Sequence, residues 1–96
     1  RHIKPETITD WQDQARLVIT IPFLRGTHSQ LLVGAGYRSA RAICAAADQE
    51  VQAAILRFCT TRDGQRILRD GPLPPAEKMQ AWADNAREAD PQRLVA

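Results

Sequence analysis

Val51, Ala54, Ile55, Phe58 and Cys59 fall at i, i+3, i+4, i+7 and i+8, the most regular apolar spacing in this 96-residue chain. Side chains at that spacing share one face of an α-helix, whereas a strand would place them on opposite faces. The same period recurs toward both ends. Ile8, Trp11, Ala15, Val18 and Ile19 mark a first helix over about 10–20, and Met79, Trp82, Ala83 and Ala86 mark a last one opening near Pro75. No stretch alternates apolar and polar residues for long enough to make a strand. The chain reads as all-α, a compact bundle of five to six short helices, with Trp11 and Trp82 expected in its core.

The residues between the stripes give the boundaries. Thr9 with Gln12 has the spacing of a capping box, and Asp10 and Asp13 suit the positive end of the first helix, which Pro22 stops. Thr27 with Gln30 repeats the box and opens a second helix over about 28–33, closed by Gly34 or Gly36. Ser39 caps a third helix holding Ala42, Ile43 and Ala46. Asp48 caps a fourth, and Thr61 a fifth that carries Ile67 and Leu68 and stops at Asp70-Gly71. Pro72, Pro74 and Pro75 form a stiff link to the last helix, which Asp90-Pro91 ends. The expected organisation is an extension over 1–9, one domain over 10–90 and a tail over 91–96. Because the chain opens on Arg1, it is expected to be a part of a longer protein.

Composition narrows the function classes. With 44% apolar and 25% charged residues the chain resembles an ordinary globular domain rather than a disordered one. No apolar run approaches the about 20 residues needed to cross a bilayer, so no membrane association is expected. Cys44 and Cys59 lie on apolar helix faces, which favours reduced thiols in the cytoplasm over a disulfide. Residues 25–69 carry seven arginines, Arg25, Arg38, Arg41, Arg57, Arg62, Arg66 and Arg69, against three acids, a net of +4, while residues 70–96 net −2. Guanidinium groups fork onto phosphate oxygens, so the basic middle suits contact with a polyanion. The plainer reading is that these arginines solvate helix faces or pair with acids.

The segment Ile21-Pro22-Phe23-Leu24-Arg25-Gly26-Thr27-His28-Ser29-Gln30-Leu31-Leu32-Val33-Gly34-Ala35-Gly36 resembles the helix-hairpin-helix pattern, matching it at Ile21-Pro22, Leu24, Leu31-Leu32 and Ala35-Gly36. Ala40 through Phe58 resembles a degenerate second copy, and the whole is similar to small bacterial helix-hairpin-helix domains of unknown function. That resemblance implies a paired, SAM-like helix-hairpin-helix core that binds the DNA or RNA backbone without reading sequence. The physical basis is that hairpin glycines admit the backbone while amides at a helix N-terminus receive a phosphate oxygen. The sequence departs from the pattern where Phe23 and Arg25 replace the hairpin glycines, and where Ala47-Asp48-Gln49 sets a carboxylate in the second turn. One working hairpin is therefore implied, with Arg25, Gly26, Thr27 and His28 as phosphate contacts and Arg38 and Arg41 adding charge. Arg62, Arg66 and Arg69 are further candidates. Each has a simpler alternative: Gly26 as a turn residue, Thr27 as an N-cap, Phe23 as core.

No Cys-x-x-Cys, His-x-x-x-His, phosphate-binding loop or Gly-x-Ser-x-Gly occurs, so no metal, cofactor or independent catalysis is expected. Against nucleic-acid binding stands a protein-interaction or self-association role. The lost hairpin glycines favour it, and Phe23 and Leu24 would be its contacts.

Overall fold

The computed structural model describes residues 4–89. The first three residues and 90–96 lie outside it, as do the expected stop at Asp90-Pro91 and the tail. Six helices follow in order: α1 Pro5–Thr20, α2 Gly26–Gly34, α3 Ala40–Ala45, α4 Asp48–Cys59, α5 Arg62–Leu68 and α6 Ala76–Ala89. No strand occurs among the described residues.

Two of the expected caps form. The Ser39 hydroxyl accepts from the Ala42 amide at 3.1 Å, and the Thr61 hydroxyl from the Gly64 amide at 3.1 Å. The other three do not. α1 starts at Pro5, whose fixed φ suits a first turn, so Thr9 lies inside the helix and its hydroxyl donates to the Pro5 carbonyl at 3.1 Å. α2 starts at Gly26 with Arg25 at the cap position, which puts Thr27 in the first turn. α4 takes Ala47 as its cap, and Asp48 is its first helical residue. Thr9 and Thr27 have the spacing of a box and Asp48 is a good cap residue, but in all three cases the helix reaches at least one residue further toward the N-terminus.

α2 is the centre of the fold. Ser29, Leu31, Leu32 and Val33 are all buried, which a helix achieves only when neighbours cover it on several sides. α1, α4 and α5 pack on it, and α6 closes the other side of the molecule against α3 and α4. The chain leaves α2 through Gly36 at φ +104°, with the Tyr37 amide donating to the Leu32 carbonyl at 2.8 Å. That left-handed position is one a glycine adopts freely. The α4 stripe is buried at Val51, Ile55 and Cys59, and the α6 stripe at Met79, Trp82, Ala83 and Ala86. Neither the buried Cys59 nor the half-buried Cys44 is in a disulfide.

α1 is turned the other way. Its only buried residue is Leu17, while Ile8, Trp11, Val18 and Ile19 are 43%, 54%, 40% and 85% exposed. The expectation of Trp11 in the core is corrected. The core takes the opposite side of α1 through Leu17, with Ile21 just past its end, and on that side Arg38 pairs with both Asp10 and Asp13, the latter at 2.6 Å, which leaves the stripe outward.

Candidate nucleic-acid interface

The α1–α2 turn is built around Ile21, whose side chain is buried and whose carbonyl accepts from the Leu24 amide at 3.3 Å. Asn85 of α6 donates to the Pro22 carbonyl at 3.2 Å and fixes the turn to the body. Phe23 bridges the two at φ 65°, a left-handed position uncommon for a bulky residue, and is 93% exposed. It is not core. Leu24 is the reverse: at 6% exposure it packs in the core, so its expected role as a partner contact is corrected. Buried one position after a turn residue that points outward, it is out of reach of any partner.

Arg25, Gly26 and Thr27 follow on the surface, at the N-terminus of α2, which no side chain caps. A Cβ added at Gly26 would meet nothing within 4 Å. The space over this first turn is open, and three amides point into it with the positive end of the helix dipole behind them. His28 turns inward. Its ring stacks on Trp82 at a centroid distance of 4.5 Å, and its Nδ1 is buried without a hydrogen-bond partner. Burial foremost, then the charges of Lys78 and Arg25, hold its pKa below the ordinary histidine value. Its ring is thus taken up by packing rather than free to hold a phosphate.

Thr27 opens onto a groove of about 820 Å³ that runs between α1, α2 and α5. Trp11, Gln14 and Gln30 form one wall, and Asp63, Arg66 and Arg69 the other. Arg66 reaches Asp63 only at 3.7 Å with both side chains over 70% exposed, a pair too loose and wet to cancel its charge. Among the described residues Arg25 and Arg69 make no ion pair. The end of α2 thus has Arg66 and Arg69 beside Thr27, and Arg25 and Lys78 around His28.

The remaining expected residues lie elsewhere. Arg38 is held by Asp10 and Asp13, so its contribution to a basic surface is corrected: two carboxylates already occupy its guanidinium. Arg41 is exposed on α3, which packs on α6, and lines no part of the groove. Asp48, the carboxylate expected in the second turn, is bound by Gln80 at 2.7 Å and by Arg87, and those hydrogen bonds, Gln80's first, lower its pKa. Sequence reading missed Trp11, Gln14 and Gln30 as groove residues, and Lys78 as a neighbour of α2. Only the i, i+3 spacing of Arg66 and Arg69 signalled the basic wall.

Among the described residues no helix is long and apolar enough to cross a membrane, and no three His, Cys, Asp or Glu side chains group as metal ligands. No curated protein and no solved structure matches the chain. Residues 1–89 match the model of one family, the Domain of unknown function (DUF4332), and the chain belongs to that family.

Proposed function

We propose that this is a non-catalytic, cytoplasmic accessory domain that holds the nucleic-acid backbone without reading its sequence. In this reading α1, the Phe23 turn and α2 act as the working hairpin of a helix-hairpin-helix core, with α3 and α4 as the degenerate copy. The observation that carries it is the uncapped N-terminus of α2 opening beside a groove walled by Arg66 and Arg69, with Arg25 and Lys78 close by. Amides and guanidinium groups converging on one open surface suit a chain of phosphates.

Fluorescence anisotropy with labelled single-stranded and duplex oligonucleotides of unrelated sequence tests this. Four phosphate contacts would lower duplex affinity roughly 100-fold between 50 and 200 mM salt. Arg25→Glu, and Arg66→Glu with Arg69→Glu, should each remove most of the binding. No binding at low salt, or binding indifferent to these changes, defeats the proposal.

A second reading, a protein-contact domain, is favoured by the outward apolar face of α1 and by Phe23. An apolar surface of that extent on a small domain is characteristic of a partner site.

A further inference from the structure

The outward face of α1 has an internal order. Ile8, Trp11, Ala15 and Val18 are spaced 3, 4 and 3 residues apart, the seam spacing of a two-helix coil, and all four are exposed. Resting on the protein-contact reading above, we infer that this seam pairs with the same seam of a second copy of the chain, the two α1 helices lying antiparallel.

The pattern is self-complementary in that direction. Ile8 of one copy faces the partner's Val18, and Trp11 faces the partner's Ala15, so each bulky ring meets a methyl group and the four layers fill evenly. A parallel pair would set Trp11 against Trp11 and Ala15 against Ala15, overpacking one layer and leaving a void in the next. The bordering positions are Thr7, Gln12, Gln14 and Ile19. None is charged, so the flanks of α1 itself set no like charges against each other across a two-fold axis. The acids of this helix that would interfere, Asp10 and Asp13, are turned inward onto Arg38.

The area also fits. Ile8, Trp11, Val18 and Ile19 leave on the order of 400 Å² of apolar surface on each copy, within the about 300–600 Å² of the largest, often functional, patch on a small domain. Pairing two such faces covers on the order of 800 Å² of apolar surface in all, the low end of interface sizes and the range of a weak dimer.

Sedimentation equilibrium of the whole chain from about 1 to 500 µM brackets a micromolar dimer. Ile8→Lys and Val18→Glu, both at exposed positions, should each raise the dissociation constant about tenfold or more. An equimolar mixture of the two variants should recover the dimer. The introduced ammonium then faces the introduced carboxylate in one layer, and the opposite layer keeps Ile8 against Val18. A mixture that stays monomeric overturns the antiparallel register, and a wild-type chain that stays monomeric overturns the inference. Acrylamide quenching separates that failure from failure of the reading beneath it, because Trp82 is buried and Trp11 is the accessible reporter. A monomer whose Trp11 is quenched has a bare face open to a different protein, so self-pairing alone falls. A monomer whose Trp11 is shielded has no free face, and both fall.

Discussion

Replacing Gly64 by alanine would put a Cβ 2.1 Å from the Phe58 carbonyl oxygen and 2.7 Å from Cys59 Cα. Both are backbone atoms of the α4 C-terminus and cannot rotate aside. α5 would have to retreat by roughly 1 Å to restore ordinary contact, and overpacking of that kind costs about 1–3 kcal/mol. The retreat also stretches two hydrogen bonds that tie α5 to α4, the Thr61 hydroxyl on the Phe58 carbonyl at 2.6 Å and the Gln65 side chain on the Cys59 carbonyl at 2.7 Å. Each is worth about 1 kcal/mol. We expect a total loss of about 3–5 kcal/mol, a large share of the about 5–10 kcal/mol expected for a domain of this size. Urea unfolding followed by far-ultraviolet circular dichroism would read this as a midpoint lowered by about 2–5 M at a slope of about 1–1.5 kcal/mol/M. Gly26→Ala is the matched control: it enters open space in a helical first turn and should stabilise by up to about 1 kcal/mol. If Gly64→Ala unfolds within about 0.5 kcal/mol of the wild type, the close seating of α5 on α4 is wrong, and with it the position of Arg66 and Arg69 along the groove.

Other perturbations address the remaining charges. Because the folded His28 pKa lies below 6.5, the unfolded chain takes up that proton first as pH falls. Stability should therefore decline as the pH drops below about 6.5 and level off once the folded chain protonates too, and His28→Gln should flatten this step in denaturation midpoints measured from pH 8 to 5. Asp48 has the lowered carboxylate pKa, so its contribution is complete above about 3.8 and is lost as pH falls through the folded value. Asp48→Asn should remove that part of the acid unfolding curve. Arg38→Ala should lower stability by about 0.5–1 kcal/mol while leaving oligonucleotide affinity unchanged, since its guanidinium is already held by Asp10 and Asp13.

The helical stripes of α4 and α6 were legible because each apolar side chain there faces a neighbour inside the chain. Met79, Trp82, Ala83 and Ala86 are all buried, as their spacing implies. The stripe of α1 is equally regular, yet periodicity says which residues share a face and not what that face meets. What that face meets is set by contacts distant in sequence, among them Arg38, 25 and 28 residues beyond the acids that it binds. The site divided along similar lines. Arg25 and Thr27 stand at a helix start, as local pattern implies, although the true start is displaced enough to turn Thr27 from a cap into a surface residue beside the groove. Leu24 was misread because adjacent residues in a turn point in opposite directions, one into the core and one into water. Trp11, Gln14 and Gln30 become groove residues only when α1 and α2 are brought against α5, a juxtaposition that no local spacing encodes.

The double ion pair of Arg38 gives α1 two unlike points of attachment. Leu17, and Ile21 just past its end, anchor the last turn of α1 in the core, whereas the first turns meet the body mainly through Asp10 and Asp13. Apolar contacts strengthen with added sulfate or phosphate, while exposed charge pairs weaken as the screening length shortens to about 10 Å at 0.1 M salt and about 3 Å at 1 M. The two ends of one helix therefore respond to salt in opposite senses. In hydrogen exchange, amides near Asp10 should lose protection as ionic strength rises while those near Leu17 hold theirs, so α1 peels from its N-terminal end without the domain unfolding.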